Sequence, residues 1–122
     1  MIWDVQFADE FDDEFVTMSL PVKEQLTAAA KLLELFGPHL GRPNVDTLKD
    51  SAFANMKELR FYADDGAWRV AFAFDPQRKA ILLVAGDKSG GSERRFYRTL
   101  IATADERYRG HLNRLAAMKG VK

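Results

Sequence analysis

The chain contains no cysteine. That excludes a disulfide framework, a thiolate nucleophile and any zinc or iron–sulfur centre built on thiolates, and it points to a reducing cytosol. Histidine is almost as scarce. His39 and His111 are the only two, and neither stands at metal-ligand spacing from the other or from a neighbouring carboxylate, so they read as a loop residue and a helix-surface residue, with no metal expected. Long hydrophobic runs are missing too. The longest, AILLVAG at residues 80–86, falls far short of the roughly 20 residues that cross a bilayer. The opening MIWDVQFADEFDDEF lacks the basic and then apolar segments of a secretory leader. Neither export nor membrane insertion is expected, and no cofactor is implied.

What is present suits one soluble domain. The 122 residues are 47% apolar and 30% charged, enough to bury about two-thirds of the surface of the unfolded chain. Formal net charge is zero, yet residues 1–50 hold 4 Lys/Arg against 10 Asp/Glu, while residues 51–122 hold 14 against 8. Either the later half meets a polyanion, or the two halves fold against each other. The acidic run DEFDDEF reads as the solvated face of a helix start rather than as a metal site.

Hydrophobic spacing outlines the elements. Trp3, Val5 and Phe7 alternate with Asp4 and Gln6, which predicts a half-buried strand over residues 2–8. Phe11, Phe15 and Met18 then step as a helix with Asp9 as its N-cap. After Ser19-Leu20-Pro21 a second helix buries Val22, Leu26, Ala29, Leu33 and Phe36 and stops at Gly37-Pro38. Residues 37–55 show no sustained period and read as a long connection. Strands are expected at about 56–63, 67–75 and 80–86, the first two joined at Asp65-Gly66. From Ser92 onward Phe96, Leu100, Ala104, Tyr108, Leu112 and Leu115 define a final amphipathic helix studded with arginines. The expected fold is α+β: one antiparallel four-stranded sheet, an N-terminal helical hairpin and a C-terminal helix, all in a single domain over residues 1–122.

The strands at 56–63 and 67–75 carry two arginines. With Asp65-Gly66 as the hairpin loop, Leu59, Phe61 and Ala63 face the helices with Trp68, Val70 and Phe72. Glu58, Arg60 and Tyr62 then share the other face with Arg69, Ala71 and Ala73, and Arg60 lies diagonal to Arg69, with Cβ atoms about 7 Å apart. Two converging guanidiniums beside a carboxylate suit a phosphate. The competing reading is a solvated face in which Glu58 pairs with one arginine and Tyr62 stacks on the other. Past the last strand, GDKSGG adds Lys88 on a glycine-rich loop, without the GxxxxGK[ST] spacing of a nucleotide-binding loop.

The ordered segments GPHLGRPNVDTL, MKELRF, GAWRVAFAF and AILLVAGDK, followed by a basic helix, resemble the RelE/ParE toxin superfamily, most closely its phage-derived HigB-like branch. The likeness spans about residues 20 to 112 and is most specific at LGRP, ELR and WRV. It implies a RelE-like fold and a toxin of a type II toxin–antitoxin pair that cuts mRNA on the ribosome, with a helix-turn-helix antitoxin, the ribosome and mRNA as partners. It carries Arg60, Arg69 and Lys88 over as the family's cationic site residues. The chain departs from the pattern where many relatives show paired lysines and a Thr-Pro element, having GDKSGG and ERRFYR instead. It is also neutral where ribosome-acting relatives are commonly basic.

Metal-free RNA cleavage needs the 2′-OH deprotonated, the phosphorane charge stabilised and the leaving oxygen protonated. Arg60 and Arg69 are assigned the charge, and Lys88 or Glu58 the proton. Tyr62, Tyr97, Arg95 and Arg98 are the candidate RNA contacts. The alternative is a ParE-like inhibitor of DNA gyrase without nuclease activity.

Overall fold

A computed structural model describes residues 2–120. Its elements are β1 (Asp4–Phe7), α1 (Asp9–Phe15), α2 (Leu20–Phe36), a 3-10 turn (Gly37–His39), β2 (Val45–Thr47), β3 (Lys57–Ala63), β4 (Gly66–Phe74), β5 (Lys79–Asp87) and α3 (Glu93–Gly120). The sheet runs in the order β1-β5-β4-β3-β2. The α+β class and the three expected helices hold, but the sheet has five strands rather than four and is mixed, because β1 lies parallel to β5. The added strand, β2, falls inside the stretch that the sequence presents as a connection. It pairs antiparallel with β3, and at three residues it is too short for alternation to show.

Helix starts follow from simple chemistry. Ser19 caps α2, its hydroxyl accepting from Val22 N at 3.4 Å with Pro21 in the first turn. Asp9, expected as the cap of α1, is already its first helical residue, and Ala8 holds the cap position with no side-chain bond. In α2, Val22, Leu26, Ala29 and Leu33 are buried as their spacing requires, whereas Phe36, at the end of the same stripe, is 51% exposed.

The β3–β4 hairpin turns one residue earlier than the Asp-Gly pair suggests. Asp64 and Asp65 both adopt positive φ, at 53° and 59°, the backbone of a two-residue primed turn, and Ala63 pairs with Gly66. Glycine is needed at 66 for a different reason. A Cβ there would lie 2.6 Å from the Asp87 carboxylate, which accepts from Ala67 N and Ser89 N. Moving the loop by one residue shifts each cross-strand partner by two, so every side chain keeps its face while Arg60 moves from diagonal to directly opposite Arg69.

Both faces of the sheet are covered. Leu59, Phe61, Val70 and Phe72 are buried on the α1–α2 side, where Phe7 stacks on Phe11 and Trp3 meets Phe74 edge-on. On the other side α3 packs over Gly86, whose missing side chain admits Phe96: a Cβ there would lie 2.8 Å from the ring. The acidic first helix and the basic last one meet. Arg107 donates to Glu14 through both guanidinium arms, at 2.8 and 2.6 Å, and also to the Leu83 carbonyl. His111, expected on the helix surface, is half-buried and bonded at 2.8 Å to the Asp75 carboxylate, while His39 is exposed.

The fork with Arg107 holds the Glu14 carboxyl below its ordinary pKa. A depressed carboxyl stabilises the fold above the unfolded-state value, about 4.3, and loses that contribution as pH falls through the folded-state value. Glu14→Gln is therefore expected to lower stability by about 1 kcal/mol at pH 7, a modest figure because the side chain is partly exposed. In urea titrations the gap between variant and parent should narrow as pH falls below the unfolded-state carboxyl value; a gap of equal size at neutral and acid pH would contradict the assignment.

Candidate active site

Three elements bring the site together. β3 supplies Glu58 and Arg60, β4 supplies Arg69 directly opposite Arg60, and α3 lowers Tyr97 onto them from above the sheet. Like charges set opposite each other on adjacent strands repel. The repulsion is offset by Glu58, whose Oε2 stands 3.6 Å from Arg60 Nε and whose Oε1 stands 3.7 Å from Arg69 Nε. The Tyr97 hydroxyl donates to Oε1 at 2.7 Å. Glu58 is 5% exposed and Arg69 only 3%, so the cluster is a nearly dry group of two cations, one anion and a phenol. Arg60 keeps 29% of its side chain in solvent.

The group is not fully satisfied. The ionic contacts are too long for hydrogen bonds, and both Nε atoms are buried without a hydrogen-bonding partner. Arg69 satisfies one other donor on the Trp68 carbonyl at 2.9 Å. Burial, and then the bond to Glu58, raise the Tyr97 phenol above its usual pKa, while Arg69 beside it pulls the other way. Tyr97 therefore stays protonated at neutral pH.

Glu58 and Tyr97 open onto a cleft of about 910 Å³ between the Thr47–Asp50 segment and α3. Lys49, Arg94 and Arg98 supply cations along it, and Leu48 and Ile101 supply apolar surface. The arrangement can take a proton at Glu58, give one from Tyr97 and stabilise developing negative charge with Arg60. Among the described residues, no group of three or more His, Cys, Asp or Glu side chains is placed to hold a metal ion.

The expected site residues divide. Glu58, Arg60, Arg69 and Tyr97 come together, but Arg69 lies sealed beneath Glu58 rather than on an open concavity. Arg98 lines the cleft, whereas Arg95 faces a separate groove along β5 with Phe96 and Thr99. Lys88 is engaged by Glu93 at 3.0 Å. Tyr62 is 73% exposed near the hairpin turn, on the Arg60 face. Arg94 and Lys49 are the cleft residues that sequence spacing does not single out. Arg94 stands one helical turn before Arg98, the spacing that would have linked the two.

Fold and site together define a small α+β domain in which a buried carboxylate, two arginines and a phenol open onto a cleft of mixed charge. The family model described as "Phage derived protein Gp49-like (DUF891)" matches residues 13–109, and the chain belongs to that family. Two Mycobacterium tuberculosis (strain ATCC 25618 / H37Rv) proteins are similar. "Putative toxin HigB3" is 47% identical over 93 residues, 76% of this chain and 79% of that protein. "Putative toxin HigB2" is 46% identical over 90 residues, 73% of this chain but only 44% of that longer protein. Among solved structures, the free state of a mutant E. coli toxin RelE superposes with a TM-score of 0.59 at 12% identity, covering 84% of this chain and 96% of that one. The resemblance carried by LGRP, ELR and WRV is thereby borne out, and the RelE-like fold with it.

Removing the central carboxylate leaves the buried Arg69 facing the half-buried Arg60 with no anion between them, so Glu58→Gln is expected to destabilise the fold by about 3 kcal/mol. With that anion gone, the Tyr97 phenol should ionise at lower pH than in the parent. Denaturant titration and ring-carbon NMR of labelled tyrosine measure the two effects, and an unmoved Tyr97 titration would contradict the contact.

Proposed function

We propose that the protein is the toxin of a type II toxin–antitoxin pair and acts as an endoribonuclease, cutting mRNA on the ribosome without a metal ion. The observation that carries this reading is Glu58, buried between two guanidiniums whose Nε atoms lack partners and reachable from a cleft that also holds Lys49, Arg94 and Arg98. The HigB names of the similar mycobacterial proteins support the toxin assignment, and with it a small helix-turn-helix antitoxin as partner and the cytoplasm as the place of action.

In this reading Glu58 accepts the proton of a ribose 2′-OH. The O2′–P bond forms, the P–O5′ bond breaks, and Tyr97 returns a proton to the leaving 5′ oxygen, giving a 2′,3′-cyclic phosphate and a 5′-hydroxyl end. Arg60, the less buried guanidinium of the pair, stabilises the phosphorane oxygens. Arg69 acts from below, balancing Glu58 and adding positive field. Lys88 adds a further cation at the β5 end, and Tyr62 offers an exposed ring on the same face for a base to stack on. Proton transfer and charge are both supplied by side chains, so the scheme needs no metal ligand set.

Inducible expression followed by primer-extension mapping of mRNA ends tests the reading. Codon-phased cuts are expected from the parent, with Arg60→Ala slowing cleavage of purified ribosome-bound mRNA by about 10² to 10³ and Glu58→Gln by about 10² to 10⁴. Intact mRNA together with supercoiling defects or DNA breaks would overturn the nuclease reading in favour of a gyrase inhibitor.

A further inference from the structure

The cleft is larger than proton transfer at Glu58 requires, and its surfaces sort by chemistry. Its volume of about 910 Å³ is that of a site for a small organic ligand. Leu48 and Ile101, both buried, form an apolar wall together with the Tyr97 ring. Arg94 and Arg98 lie at i and i+4 on α3, which sets them side by side with Cβ atoms about 5–6 Å apart. The remaining lining offers acceptors from Thr47, Asp50 and Glu58, beside the Lys49 cation and the Glu93 carboxylate that Lys88 engages. An anion is repelled from the carboxylates and drawn to the arginine pair, whereas a flat ring carrying amine donors suits the rest.

We infer that this cleft seats the ribonucleotide whose 2′-OH attacks its own 3′ phosphate. This rests on the nuclease reading and adds the binding geometry to it. The base lies against Leu48 and Ile101 and presents its exocyclic amine to the carboxylates. The 5′ phosphate lies on Arg94 and Arg98. The ribose 2′-OH meets Glu58, and the 3′ phosphate points to Arg60, whose Nε stands 3.6 Å from Glu58. Bases with an amine, namely adenine, guanine and cytosine, are preferred to uracil.

Nucleoside 3′,5′-bisphosphates and 3′-monophosphates are the probes, with binding to the full chain measured by calorimetry and by amide shifts. Adenosine 3′,5′-bisphosphate is expected to bind more tightly than the uridine compound. Arg98→Ala should weaken it by about tenfold or more while leaving adenosine 3′-monophosphate, which lacks the 5′ phosphate, little changed. Arg114→Ala on the same helix is the charge-matched control. Equal loss for both adenosine probes, indifference to the base, or equal loss with Arg114→Ala would overturn the seat. If the parent cuts mRNA but Arg98→Ala binds the bisphosphate normally, the seat fails and the nuclease reading stands. If the bisphosphate behaves as expected but no mRNA is cut, the nuclease reading fails and a nucleotide seat remains.

Discussion

The site depends on one carboxylate shared by two guanidiniums. Arg60 and Arg69 are set face to face by strand pairing, an arrangement that repulsion disfavours unless an anion lies beside both. Glu58, buried as it is, would be equally costly without them. Each charge makes the other two tolerable, so the hairpin register, the burial of Arg69 and the descent of Tyr97 from α3 are conditions on a single balance. That balance is incomplete, as the orphaned Nε atoms show. A buried group left short of partners is costly to stability and is where a ligand finds donors already aimed.

The uneven division of charge along the chain has a partly internal resolution. Glu14 of the acidic segment is held in both arms of Arg107, and Asp4 lies 4.0 Å from Lys79 across the parallel β1–β5 pair. These contacts join the halves of the sequence without consuming the basic excess. Arg94, Arg95 and Arg98 remain exposed near the start of α3, and two of them border the cleft. The two readings of the asymmetry, folding together and meeting a polyanion, are therefore compatible.

How much of this was legible follows from the range of each interaction. Periodicity located α2, α3 and the three long strands because their burial repeats at fixed spacing. The faces of Glu58, Arg60 and Arg69 were correct although the turn was misplaced, since a two-residue change of partner preserves alternation. The turn itself was misread because Gly66 answers to a close approach by Asp87 rather than to backbone conformation. What stayed hidden is tertiary. Tyr97 meets Glu58 across 39 positions and His111 meets Asp75 across 36, and neither separation leaves a local trace. The face carrying the arginines looked open because nothing in the spacing of residues 92–112 states which side of the sheet α3 covers.

Gly86 sits opposite Arg69 in the β4–β5 ladder, with the Phe96 ring pressed over its backbone. The next residue of the helix is Tyr97, so the distance from ladder to ring also governs how deeply the phenol hangs. A bare α-carbon thus behaves as a shim of zero thickness. Any side chain in its place would press on the Phe96 ring, and the displacement would fall on the residue beside the one that hangs the phenol over Glu58.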